Sequence, residues 1–326
     1  MPKNQNKVTT LTLAIDSLVK ENCHLSIGGF TINRNPMAAV YEIIRQRKRE
    51  LHLYAHSNGQ GVDELVGAGC VSRLEIAYAG NGRFAPTCIC FRRAVEKGEL
   101  LVEDYSNYQM TLRFMAGAMG LPFLPTRSGL GTDIIKHWGF TQELRNRDKT
   151  LPRQKIITID NPFGDWCDSP KLVLVPAINP DITIIHVQQA DCRGNARIQG
   201  LTFADVEQAK AARHLIITCE KLVEEDFLKR DPDRNQIPFI HVDAVIPIAW
   251  GAYPTACYQH YDYDPKYLNN YRRAAEDEKS YQTYLTEKIM KPGDHQEFLA
   301  LCDQEHLQTL LADPETGYAV GLERNQ

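Results

Sequence analysis

With 326 residues, 43% of them apolar and 24% charged, the chain has the make-up of a globular protein large enough for one big α/β core or two smaller ones. Its formal net charge of −4 gives no electrostatic reason to expect nucleic acid or an anionic membrane as a partner. No run nears the roughly 18 apolar residues of a membrane helix, and the polar start Met1-Pro-Lys-Asn-Gln-Asn-Lys7 has no signal-peptide core after it, so a cytoplasmic location is expected.

Thr9 or Thr10 can cap a first helix whose Leu11, Ala14, Ile15, Leu18 and Val19 recur at helical spacing. Residues 25–27 read as the end of a buried strand that stops at Gly28-Gly29; Asn35 suits an N-cap and Pro36 the first helical position. Two readings fit the glycines: a plain strand-to-helix turn, or a cradle whose N–H groups meet an anion or a developing oxyanion. After Pro36, Ala39, Val40, Ile43 and Ile44 face inward and the basic residues of 45–49 outward.

Extended segments are expected at 51–55, 74–79 and 100–102, with helices over 86–97 and 106–119. Residues 121–131, with two prolines and two glycines, read as an irregular loop. The polar stretch 139–170 reads as a surface excursion in which 156–159 can pair as a strand. Strands follow at 172–175, 182–187, 215–218 and 242–248, with a turn at Arg193-Gly-Asn195 and a helix near 203–212. His186 and His241, inside apolar strands, read as hydrogen-bonded core residues, while Gln188 and Gln189 at the following strand end are candidates to touch either a partner or a ligand. The alternation predicts an α/β fold, an open and largely parallel sheet with helices on both faces, over a domain 1–264. Residues 265–326, charged and helical in pattern, read as a C-terminal extension packed on the domain or on a partner.

Nine cysteines scattered through apolar segments fit reduced thiols. Cys88 and Cys90 are the only close pair, and without further ligands at metal spacing no metal site is expected. Glycine-rich nucleotide motifs are absent in their strand-turn-helix setting, so nothing supports nucleotide hydrolysis or hydride transfer.

Ile27-Gly-Gly-Phe-Thr31 followed by Pro36 resembles the glycine-rich signature of family I coenzyme A transferase α subunits, of the glutaconate type. Val102-Glu-Asp-Tyr-Ser106, Gly120-Leu-Pro-Phe-Leu-Pro125, Ile159-Asp-Asn-Pro-Phe163, Ile185-His-Val-Gln-Gln-Ala190, Thr218-Cys-Glu220, Val242-Asp-Ala-Val245 and Tyr261-Asp-Tyr-Asp264 agree in order and spacing. The chain is also similar to the α subunits of CoA-transferase-like hydrolases that open a steroid ring. The resemblance implies a coenzyme A thioester as substrate, no tightly bound cofactor, and covalent catalysis by a glutamate. In the two-subunit members that glutamate sits in a Ser-Glu-Asn-Gly motif of the β subunit. The nearest echo here, His56-Ser-Asn-Gly59, lacks it. The implied assembly is an α2β2 heterotetramer acting on an acyl-CoA and a carboxylic acid.

On that basis the backbone N–H groups of Gly28, Gly29 and Phe30 are expected to form the oxyanion site. Glu103 is a candidate acid/base by similarity to the ring-opening hydrolases, while Glu103-Asp104-Tyr-Ser106 equally suits a helix cap. Asn81, Arg83 and Phe84 replace a small polar loop of the glutaconate type. Arg83 can pair with a substrate carboxylate or remain a surface arginine, and Phe84 can supply an apolar wall. Arg127 and Ser128, in Thr126-Arg-Ser-Gly-Leu-Gly131, look closer to the hydrolase loop and complete the expected substrate-binding set. Hydrolysis or decarboxylation of a CoA thioester, or a purely scaffolding role, are the alternatives to transfer.

Overall fold

A computed structural model describes residues 6–322. Strands β1 (His24–Ile27), β2 (Leu51–Asn58), β3 (Val71–Ala79) and β4 (Leu101–Asp104) form one half of the main sheet. After β5 (Phe123–Thr126), β6 (Ile157–Asp160) and β7 (Lys171–Pro176), the chain returns with β8 (Ile182–Ala190), β9 (Ala196–Arg197), β10 (His214–Leu222) and β11 (Ala244–Pro247). The order across the sheet is β11-β10-β8-β1-β2-β3-β4, every one of these neighbours parallel, with β9 antiparallel to the end of β8.

Helices α1 (Leu11–Leu18), α2 (Met37–Arg45), α3 (Gln60–Gly67) and α4 (Ile89–Glu96) pack as one layer, while α5 (Asn107–Ala118) and α7 (Asp205–Ala211) meet each other and touch β2 and β8. α6 (Gln142–Arg147) and α8 (Glu225–Lys229) are short surface turns of helix. The expected open α/β sheet with two helical layers is what forms. β2 shows why: all eight of its residues are buried, as a strand covered on both faces must be.

Local chemistry explains most boundaries. Thr10 caps α1 through its side chain, and Ser106 and Gln109 form a reciprocal capping box on α5. Three expectations are corrected. α2 begins at Met37, with Pro36 in the cap position and no side-chain cap bond. Asn35 instead accepts from Gly61 N (3.0 Å) and donates to Asn33 O (3.1 Å), so its amide ties the loop to α3. Residues 121–131 are not wholly irregular, because β5 pairs with β7 in a second, three-stranded antiparallel sheet, β5-β7-β6. His241 lies in a 3-10 turn, Phe239–His241, rather than a strand.

The C-terminal segment runs through α9 (Pro265–Glu276), α10 (Glu278–Tyr284), a π turn, α11 (His295–Ala300) and α12 (Gln304–Thr309). It docks on its own chain through buried acids of α3. Tyr271 donates its hydroxyl to Asp63 (2.8 Å) and Tyr284 to Glu64 (2.6 Å). Asp63 also accepts from the N–H groups of Ile89 and Phe91 and so caps α4 from a neighbouring helix. Burial lifts the Asp63 carboxyl to about 6 and that of Glu64 to about 8, because a charged carboxylate loses its hydration there.

Candidate active site

β1 has β2 on one side and β8 on the other, so the sheet's order reverses at β1, and ligands of open parallel sheets bind beyond the carboxyl ends at such a point. The loop leaving β1 is held rigidly there. Gly28 N donates to Ile184 O (2.9 Å), Gly29 N to Asp205 Oδ1 (2.8 Å) and Phe30 N to Asn33 O (2.8 Å). Arg34 closes the loop, with Nη2 3.0 Å from Asp205 Oδ2 and Nη1 donating to Leu201 O (2.8 Å). Both charges are buried. Gly29 has φ +89°, and a Cβ there would lie 2.7 Å from Arg34 O. At Gly28 a Cβ would lie 2.9 Å from Ile185 Cγ2 and 3.0 Å from the Asp205 carboxyl carbon.

This geometry speaks against the oxyanion role expected of Gly28, Gly29 and Phe30. A backbone N–H has one proton to give, and all three are given within the chain. The glycines instead let the loop pass close to β8, to Asp205 and to its own return.

Beyond the loop, Phe30 stacks on Phe203 (centroids 4.7 Å, 9°) and leans on His56 (5.7 Å). His56 Nε2 lies 3.0 Å from Asn107 O. A carbonyl only accepts, so Nε2 carries the proton and Nδ1 presents a bare lone pair; Nδ1 is buried and has no partner among the described residues. Burial lowers the imidazole's pKa below its ordinary value and so favours the neutral form. Ser57 bonds the Asn107 side chain, which fixes the start of α5 against the end of β2. On the other side a cleft of about 430 Å³ opens between Arg34, Leu201, Phe203, Tyr258 and Tyr263. The arrangement offers an apolar aromatic wall, one imidazole acceptor and a cleft, while Asp205 is spent on the loop.

Residues 8–247 match the family described as Coenzyme A transferase. The chain belongs to the coenzyme A transferase family. It is 36% identical over 317 residues, 97% of its own length and 98% of the relative's, to the A subunit of glutaconate CoA-transferase from Acidaminococcus fermentans. It is 30% identical to the A subunit of 3-oxoadipate CoA-transferase from Pseudomonas knackmussii (90% and 97% covered) and 28% to the IpdA subunit of a cholesterol ring-cleaving hydrolase from Rhodococcus jostii (87% and 92%). Among solved structures, glutaconate coenzyme A-transferase from A. fermentans superposes with TM-score 0.92 at 37% identity, covering 96% and 98% of the two chains. The decarboxylase AibA/AibB follows with TM-score 0.68 at 31% identity, covering 86% and 100%.

In this CoA-transferase chain the other expected site residues divide into two groups. Asn81 and Phe84 are buried, Asn81 donating to Gln60 Oε1 (2.9 Å). Exposed Arg83 lies over the Phe84 ring (5.0 Å) and reaches the Tyr263 hydroxyl (3.4 Å) at the edge of the cleft. Phe84 therefore supports Arg83 instead of walling the cleft itself. Across the loop, Ser128 Oγ sits 3.2 Å from Ser106 Oγ beside the start of α5, and Arg127 bonds Cys167 O (3.0 Å). Glu103 belongs to neither group. It is fully buried on the edge strand β4, ion-paired with Arg145 and accepting from Gly139 N (3.0 Å), so in this chain its carboxylate is engaged in an ion pair, which speaks against the expected acid/base role.

Of the expected core histidines, His186 is a buried structural residue between Thr218 (2.8 Å) and Glu220 (2.8 Å). Glu220 also accepts from the N–H groups of Trp250 and Gly251. Burial alone would raise its carboxyl; the bond and charge of His186 and the other donors outweigh that and hold it low. This fully bonded group, beside Cys257, reads as a core brace. Cys88 and Cys90 are buried thiols whose pKa burial raises, in keeping with packing. Sequence reasoning missed Arg34, Asp205, Phe203 and Tyr263; only Arg34, next to the loop, carried a local signal, since the others arrive from distant segments. Among the described residues no helix is long and apolar enough to cross a membrane.

Proposed function

We propose that the chain is the α subunit of a heteromeric acyl-CoA:carboxylate CoA-transferase of the glutaconate type. The observation that supports this most is end-to-end likeness in both sequence and shape to the A subunit of glutaconate CoA-transferase. A partner β subunit supplies the glutamate, which attacks the acyl-CoA carbonyl, and coenzyme A is then passed through an enzyme thioester to the acceptor acid. The α chain contributes one side of the site: the loop clamped by Arg34 and Asp205, the Phe30–Phe203 wall, His56, and Arg83 at the cleft edge as a seat for a carboxylate on the acyl group or acceptor. The expected assembly is α2β2.

Co-expression with a candidate β chain, incubation with an acyl-CoA and treatment with borohydride tests this reading. Reduction of a glutamyl thioester leaves a stable mass change on one β-chain peptide. Substrate consumed without that mark refutes the transferase reading and favours hydrolysis or decarboxylation, a second reading supported by likeness to the IpdA chain of the ring-cleaving hydrolase and to AibA/AibB.

A further inference from the structure

The small sheet β5-β7-β6 packs one face on α5 through its valines and turns an apolar face outward. Side chains directly opposite each other in an antiparallel pair point to the same face. The register places Leu124 and Thr126 of β5 opposite Val175 and Val173 of β7, and the two valines are fully buried in the cluster around α5. The alternate residues face the other way: Phe123 opposite Pro176, Pro125 and Ile157 opposite Leu174, and Ile159 opposite Leu172. That outer face carries no charged side chain. Phe123 is 46% and Ile157 44% exposed, and in the loop from β6 to β7 Phe163 and Trp166 are 80% and 71% exposed. The strand face is free of charge, and the adjoining loop sets its exposed aromatics beside exposed Asp165 and Asp168; an apolar patch with aromatic anchors bordered by polar groups is the composition of an interface, not of a free surface.

We propose that this face seats the partner subunit that completes the active site, an inference that rests on the α-subunit reading above. Continuity with the site selects that occupant. β5 and β6 are both antiparallel to β7, so their carboxyl ends lie together at the start of β7. From there Arg127 ties its loop to Cys167, next to Trp166, and Ser128 reaches Ser106. The neighbouring Asn107 bonds His56 and Ser57. The apolar face therefore ends at the wall of the site. A body seated on it stands where a nucleophile absent from this chain has to enter, and the relatives named as A subunits belong to enzymes with a second chain. A second copy of this chain would bring no such nucleophile.

The test is titration of a candidate β chain against the full α chain by light scattering and calorimetry. The α chains are wild type, Phe123→Asp with Ile157→Asp, Trp166→Ser with Phe163→Ser, and a control, Leu13→Asp, on exposed α1. Melting of each isolated α chain checks its fold, and the loop pair stands in if the strand pair misfolds. The expected result is complex formation by wild type and control, with affinity lowered at least about tenfold in a folded face variant. A wild-type complex matched in affinity by folded face variants overturns the location alone. Self-association of the isolated chain that the face variants abolish, with β binding intact, overturns it in favour of a second copy. A wild type that binds no candidate β chain overturns the subunit reading and this proposal with it.

Discussion

Glu64 makes the strongest quantitative claim on the fold, because its carboxyl is fully buried yet accepts bonds only from neutral donors, Gln60 Nε2 (2.9 Å), Tyr284 OH (2.6 Å) and Tyr41 OH (3.5 Å). Burial lifts its pKa from 4.5 to about 8. A raised carboxyl means that the folded chain holds a proton the unfolded chain has released. The contribution is therefore fully present below the unfolded pKa and is lost as pH rises toward the folded one. Between pH 5.5 and 7.5 the loss is roughly 1.4 kcal/mol per pH unit, about 3 kcal/mol in total. Asp63, lifted to about 6, adds its loss mainly below that window. Glu64→Gln removes the titration while keeping an oxygen for Gln60 and Tyr284. Its new amide N–H takes the place of an oxygen without a partner, so the variant starts less stable, by about 1–3 kcal/mol at pH 5.5. Urea unfolding at several pH values should then show a stability slope that is steep in wild type and flatter by about 3 kcal/mol over the window in the variant. Parallel slopes would refute a protonated Glu64 under the C-terminal helices.

Three further outcomes follow from the loop and the cleft. Asp205→Asn leaves the buried Arg34 charge unpaired and should cost about 3–5 kcal/mol in chemical denaturation; a loss under 1 kcal/mol would show that the clamp is not needed. Gly28→Val drives a branched side chain into Ile185 and Asp205 and should destabilise the isolated chain by about 1–3 kcal/mol, visible in melting before any partner is added. A stable Gly28→Val chain with a lost turnover would restore the oxyanion reading. In the assembled enzyme, Arg83→Met should raise KM for a dicarboxylic substrate by about tenfold with kcat little changed, as expected for loss of a contact made equally in ground and transition state; an equal fall in kcat would place Arg83 at the reacting atoms instead.

The elements that sequence reasoning placed well are those whose signal is local. The Thr10 cap, a cap at Asp104 or Ser106 and the buried run of β1 each need only a few neighbouring residues to be recognised. Asn35 shows the limit. Its type and position suit a cap, but its amide bonds Gly61 on the next helix, a partner invisible without the fold. β5 was hidden for a similar reason: Pro122 and Pro125 look like breakers, yet Pro125 takes a position on an edge strand, where a missing N–H costs nothing. Glu103 and Glu64 reversed their apparent weights. A carboxylate at a strand end draws attention as a catalyst, whereas Arg145, from a segment read only as surface, neutralises it; Glu64, inside an ordinary helix, turned out to be the acid that burial perturbs.

The glycine loop is where family resemblance and physical chemistry part. Resemblance assigns the two glycines to the site, and they end β1 where the sheet reverses. Their N–H groups nevertheless point to Ile184 and Asp205, and that of Phe30 to Asn33, and a buried carboxylate paired with a buried arginine is an expensive way to hold a turn. Such a clamp makes sense where the loop must not move. Phe30, carried one residue past the glycines, is then fixed against Phe203 and His56. On this view the glycines act by shape: they allow the close passage, Asp205 and Arg34 lock it, and the side chain that follows becomes a rigid wall against which a second subunit can present its nucleophile.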